Sequence, residues 1–178
     1  MAKLLGILRH AKSEWDAGVE RDFDRGLNDR GRRGAPLMGN HIRDHEVQWD
    51  MILASPAVRI KETLDLAELG VAPTYDQRLY LASLETILEV LQGLGGDDEP
   101  GSVLIVGHNP GLQETLIDLV APARENDLFR EAMIKFPTGA FAVLECEIAG
   151  WSALKARCAE LVHFTRPRDL DPALGPQG

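Results

Sequence analysis

The sequence predicts an α/β layered domain with a largely parallel sheet, and three observations carry that prediction. Short runs of branched apolar residues recur along the chain, helix-period stripes fill the intervals between them, and a cap residue followed by proline marks two of the crossings. The first run, Leu4 to Leu8, leads straight into Arg9-His10 and reads as a buried strand, not as a signal peptide. From Asn28 to about His45 a helix is expected. Met51 to Ala54 forms a second strand, after which Ser55-Pro56 sets an N-cap side chain before a proline suited to the first helical position, and Ile60, Leu64 and Ala67 mark the helix that follows. Leu84, Ile87, Leu88 and Leu91 stand at i, i+3, i+4 and i+7 of another. The stretch Gly93 to Gly101, with Asp97-Asp98-Glu99-Pro100 inside it, is a solvated acidic loop. Val103 to Val106 is the third strand; Asn109-Pro110 repeats the cap and proline pattern, and Leu112, Leu116, Leu119 and Val120 form the next stripe. Phe141 to Cys146 and a weaker run from Leu161 to Phe164 complete the strands.

The chain has 178 residues, of which 44% are hydrophobic and 26% charged, enough for one domain with a real core over residues 1–165. Residues 166–178 hold three prolines and two glycines without apolar periodicity and are expected to form a partly flexible tail. No apolar run approaches the roughly 20 residues that cross a bilayer, so no membrane partner is expected. Two cysteines, Cys146 and Cys158, make neither a disulfide framework nor metal-ligand spacing and fit a cytoplasmic protein. A net charge of −9 speaks against sequence-independent nucleic-acid binding. If the substrate is anionic, positive charge must then be concentrated locally.

Ligands of open α/β sheets bind beyond the carboxyl ends of the strands. The first strand delivers Arg9 and His10 there, the second is followed by Arg59, and the third ends at Gly107-His108-Asn109. Two arginines and two imidazoles therefore converge on one edge, beside two helix starts with free N–H groups. A phosphoryl group fits this set: its oxygens accept forked guanidinium hydrogen bonds, and a neutral imidazole attacks phosphorus to split one displacement into two. Lys12, Ser13 and Glu85 are further candidates around the substrate. Lys12 supplies a third positive charge or stays in solvent; Ser13 contacts phosphate or turns the chain; Glu85 is a proton donor or an acid favoured by the first turn of its helix. Glu14 is a weaker acid candidate, Trp15 is expected to pack its loop, and His41, His45 and His163 are expected at the solvated surface. No metal site is expected.

These residues resemble the histidine phosphatase superfamily, also called phosphoglycerate mutase-like, and in particular its SixA-type phosphohistidine phosphatases. The likeness rests on Arg9-His10-Ala11-Lys12-Ser13-Glu14-Trp15, then on Asp22-Phe23-Asp24-Arg25 with Leu27-Asn28-Asp29-Arg30-Gly31, and on Ser55-Pro56-Ala57-Val58-Arg59 with Thr63. It continues through Leu79-Tyr80-Leu81-Ala82, Val106-Gly107-His108-Asn109-Pro110-Gly111, Phe136-Pro137-Thr138-Gly139-Ala140 and Arg166-Pro167-Arg168-Asp169-Leu170. The resemblance implies a three-layer α/β/α sandwich around a mixed, mostly parallel sheet, with a minimal lid and no cofactor or metal. It implies His10 as the phosphorylated nucleophile, Arg9 and Arg59 as phosphoryl ligands and His108 as the second pocket histidine. A monomeric phosphatase acting on a phosphohistidine-bearing protein is the leading expectation. A phosphomonoesterase for a small phosphorylated metabolite and a noncatalytic phosphate-binding module are the alternatives.

Overall fold

The computed structural model describes residues 2–15 and 18–175. In chain order the elements are β1 (Lys3–Arg9), α1 (Asp29–Asp44), β2 (Met51–Ala54), α2 (Val58–Ala67), β3 (Pro73–Tyr75), α3 (Leu84–Gln92), β4 (Ser102–Gly107), α4 (Gly111–Leu119), α5 (Asp127–Ile134), β5 (Phe141–Cys146), β6 (Ala159–Thr165) and α6 (Pro167–Leu170). The strands form one sheet in the order β3-β2-β4-β1-β5-β6. β1, β2, β3 and β4 run parallel, and β5 is antiparallel to both of its neighbours.

Side-chain alternation along the inner strands divides the core in two. Leu5 and Ile7 of β1, with Val103 and Ile105 of β4, face Ile87, Val90 and Leu91 of α3, Leu112 and Leu116 of α4, and Phe129 of α5. Leu8, Leu104 and Val106 face the other way, against Met38 and Ile42 of α1 and Ile60 and Leu64 of α2. The result is the expected three-layer α/β/α sandwich with a mixed sheet. Because both faces of β1 and β4 are covered, these strands read as unbroken apolar runs.

The helix starts differ from the expected cap and proline reading. α2 begins at Val58, two residues beyond Pro56; the Ser55 N–H extends the sheet by donating to Val106 O at 3.1 Å, and the Ser55 hydroxyl accepts from the Ala57 N–H at 3.3 Å while also meeting His108. α4 begins at Gly111; Asn109 still serves its first turn, its Oδ1 accepting from the Gln113 N–H at 3.3 Å, while its Nδ2 donates to Phe136 O at 2.8 Å. Three elements are additions: the short edge strand β3, the helix α5 capped by Asn126, and α6. Within the tail, residues 166–175 lie against α1, where Arg30 donates to Gly175 O and Leu170 joins the core. The mobility expected of the last tail residues concerns 176–178, which lie outside the described residues.

Two glycines hold the loop after β1. A Cβ on Gly31 would stand 2.0 Å from Lys12 O, so only glycine lets α1 approach this closely. Gly139, at φ +79°, donates its N–H to His10 O at 2.8 Å.

Candidate active site

Arg9, His10, Arg59 and His108 come together at the carboxyl edge of the sheet, as the strand ends require. Arg9 closes β1 and donates Nη1 to Phe136 O at 3.2 Å. His10 follows it and is buried; its Nδ1 lies 2.8 Å from Ala11 O. A carbonyl only accepts, so Nδ1 carries the proton and Nε2 keeps its lone pair. Burial is the largest effect on His10 and outweighs the Ala11 carbonyl, which favours the protonated ring; with the added influence of Arg9, His108 and Arg59 it lowers the pKa of His10 to about 3. At neutral pH this side chain is an uncharged imidazole.

His108 ends β4, with its ring 5.5 Å from that of His10. Arg59 Nη2 donates to its Nδ1 at 3.2 Å, which puts its proton on Nε2, 2.8 Å from the Ser55 hydroxyl. Burial and then Arg59 lower the His108 pKa to about 3 as well. Thr63 joins the two halves of the site. Its hydroxyl donates to Arg59 O at 2.7 Å and accepts from the Ala11 N–H at 3.0 Å, tying α2 to the His10 loop.

Asp22 is the site residue whose role the sequence did not single out. Its carboxylate meets Arg59 Nη2 and Arg25 Nη2, each at 3.1 Å, and accepts from the Tyr80 hydroxyl at 2.6 Å; its carbonyl accepts from Arg59 Nη1 at 2.9 Å. Desolvation alone would raise the Asp22 pKa, but the Tyr80 hydroxyl and the two arginines outweigh it and hold the carboxyl at about 2. Arg25 also donates to the Ser13 hydroxyl at 2.6 Å and stacks on Trp15 at 4.0 Å. Three guanidiniums, those of Arg9, Arg25 and Arg59, thus crowd one region, and among the described residues the Nε–H of each is buried without a protein acceptor. Orphaned buried donors are rare in proteins, and three on neighbouring arginines form an anion-binding arrangement.

The remaining candidates are spread out. Ser13 is buried and serves Arg25. Lys12 is exposed and lines a separate cleft. Glu85 is exposed on the first turn of α3, behind the Ser83 cap, with no hydrogen bond or ion pair to the four central residues among those described. Trp15 is 78% exposed and stacks on Arg25 of the same segment. The surface expectation for the other histidines is corrected: His41, His45 and His163 form a half-buried stack, with the Nε2 atoms of His41 and His163 2.8 Å apart and both near the Thr165 hydroxyl. β6 brings His163 onto α1, a juxtaposition that spacing along the chain does not display. Among the described residues no group of three or more His, Cys, Asp or Glu is placed to hold a metal ion, and no helix is long and apolar enough to cross a membrane.

Known proteins share this architecture. The family model described as the histidine phosphatase superfamily (branch 1) matches residues 5–84. An uncharacterised protein of Mycobacterium leprae is 35% identical over 165 residues, spanning 90% of this chain and 100% of that one. Among solved structures, one described as the phosphohistidine phosphatase SixA of Agrobacterium tumefaciens is 32% identical, with a TM-score of 0.74 over 94% of this chain and 99% of that one. Another, described as SixA from Nakamurella multipartitia, is 28% identical, with a TM-score of 0.81 over 94% and 97%.

Proposed function

Because the chain belongs to the histidine phosphatase superfamily, in its SixA-type branch, we propose that it hydrolyses phosphohistidine on a protein through a phosphorylated His10. The neutral, Nδ1-protonated His10 is the observation that carries this reading: its free Nε2 is a nucleophile that needs no base. Nε2 attacks phosphorus in line, a P–N bond forms to His10, and the P–N bond to the substrate ring breaks, its electron pair returning to the substrate nitrogen. A substrate ring protonated at its other nitrogen then departs as neutral imidazole. Water next attacks the phosphorus, the P–Nε2 bond breaks with its electron pair returning to His10, and inorganic phosphate leaves as that water gives up a proton to the product or to solvent. Arg9, Arg59 and Arg25 offset the charge on the equatorial oxygens throughout. His108 is held beside the phosphoryl position by Arg59 at Nδ1 and by the Ser55 hydroxyl at Nε2, and its low pKa keeps it uncharged there.

The choice of a phosphoramidate over an ester is supported by the acid inventory. An alkoxide leaving group needs a protonated donor. Asp22, whose carboxylate meets Arg59 and Arg25, is held ionised, and among the described residues Glu85 makes no hydrogen bond or ion pair to Arg9, His10, Arg59 or His108. A substrate panel of phosphohistidine proteins and small phosphate esters, run beside His10→Ala, tests the proposal. The expected result is kcat/KM highest on phosphohistidine, with all turnover and all 32P labelling lost in the variant. A higher kcat/KM on an ester would overturn the substrate assignment, and turnover surviving without His10 would overturn the mechanism.

A further inference from the structure

A cleft of about 360 Å³ opens at the same edge of the sheet, formed by the segment after β1, the first turns of α1, the turn before β5 and the segment after β6. The strand order puts it on the opposite flank of His10 from Arg59 and His108, since β2 and β4 lie on one side of β1 and β5 and β6 on the other. Five cations line it, namely Lys12, Arg30, Lys135, Arg166 and Arg168, and none of its lining residues is acidic. Arg166 is paired with Asp169 at 3.0 Å and faces Glu131 at 3.9 Å, and Arg30 donates to Gly175 O. Among the described residues, Lys12, Lys135 and Arg168 have no carboxylate within ion-pair distance. In a chain with a net charge of −9 this is an isolated positive hollow, and its uncompensated charges favour entry of an anion.

The hollow shares backbone with the nucleophile. Ala11 and Lys12, the next residues after His10, form one wall, and Gly139, whose N–H donates to His10 O, forms another. The rest of the lining includes Pro137, Pro167 and Leu174, which offer contact to methylene groups below a charged head. We propose that this cleft is a second subsite, holding an acidic side chain that stands beside the phosphohistidine on the surface of the partner protein. The inference rests on the phosphatase reading above. Arg168 offers a carboxylate a planar fork, and Lys12 and Lys135 add point charges from the exposed side.

The test compares three substrates: a phosphohistidine peptide flanked by Asp and Glu, the same peptide flanked by Asn and Gln, and phosphoimidazole. The enzymes are the wild type and Lys135→Glu/Arg168→Glu, with Lys135→Gln/Arg168→Gln as the milder pair should charge reversal disturb folding. The wild type is expected to show a KM about tenfold lower for the acidic peptide than for the neutral one, the worth of one or two charge-assisted hydrogen bonds. Both double variants are expected to abolish that difference while leaving kcat/KM for phosphoimidazole unchanged. Equal KM values in the wild type, or a preference that survives the double substitution, would overturn the proposal. Calorimetric binding of the unphosphorylated acidic peptide to His10→Ala, with and without the Lys135 and Arg168 substitutions, decides the cleft independently of turnover. A wild type inactive on every phosphohistidine therefore sinks the phosphatase reading alone. If the substitutions weaken binding of imidodiphosphate but not of the acidic peptide, the cleft takes a second phosphate and the assignment to an acidic side chain fails.

Discussion

The two buried imidazoles make the protein sensitive to mild acid in a way that can be apportioned residue by residue. Folded His10 has a pKa of about 3, against an ordinary histidine value of 6.5. Above 6.5 both the folded and unfolded chains are neutral at this position, and stability is full. As pH falls below that value the unfolded chain takes up a proton that the folded chain refuses until about pH 3, so stability declines across this window at about 1.4 kcal/mol per pH unit. Between pH 7 and pH 5 the loss attributable to His10 is about 2 kcal/mol, and His108, with the same folded value, adds a similar amount. Replacing His10 by Gln removes one titrating group while keeping a polar side chain of related size. Urea unfolding of the wild type and His10→Gln at both pH values measures the effect. The wild type should lose about 2 kcal/mol more than the variant on acidification. Equal losses, or an imidazole NMR resonance of His10 that titrates near 6.5 in the folded protein, would refute both the linkage and the claim that the nucleophile is neutral because it is buried.

Further expectations concern the charges and the packing around that ring. Arg59→Lys keeps a charge but loses the fork that engages Asp22 and His108 together, so kcat/KM should fall by roughly 10²-fold to 10³-fold in steady-state assays; a loss under threefold would remove Arg59 from the phosphoryl site. Asp22→Asn removes the negative charge that holds Arg59 and Arg25, so inorganic phosphate should inhibit at roughly threefold to tenfold lower concentration; unchanged inhibition would mean that Asp22 and phosphate do not compete. Gly31→Ala forces a Cβ against the Lys12 carbonyl, a backbone contact that no side-chain rotation relieves. It should cost about 1–3 kcal/mol in chemical denaturation, and an unaltered midpoint would contradict the close approach.

The central site was legible in the sequence because each of its four residues sits where a buried strand ends, and strand ends follow from apolar runs and their punctuation. Arg9, His10 and His108 each stand within a residue of such an end, and Arg59 lies in the first turn of the helix that follows another. Asp22 escaped because its partners Arg59 and Tyr80 are 37 and 58 positions away, and its loop carries no periodicity to announce them. Ser-Pro predicts a cap at Ser55, and its hydroxyl does accept from the Ala57 N–H at 3.3 Å, but the same hydroxyl also meets His108 and the Ser55 N–H extends the sheet, which the local preference does not display. β3 spans three residues beginning with proline, too short for alternation to register. α5 did leave a trace, in Asn126-Asp127 at its start and Phe129 with Ala132 one turn apart, which the dominance of charged residues around them obscured.

β1 has further consequences for motion. It lies in the interior of the sheet between β4 and β5, with helices over both faces, so the strand that ends at His10 is among the last parts of the chain to open. The amide protons of Leu5 to Leu8 then exchange with solvent only when the whole molecule unfolds, whereas the loop bearing Asp22 and the edge strand β3 exchange by local fluctuation. Warming the protein toward its transition should accordingly leave the geometry of the nucleophile intact until cooperative collapse. The nucleophile's own geometry is then lost at the unfolding rate of the domain.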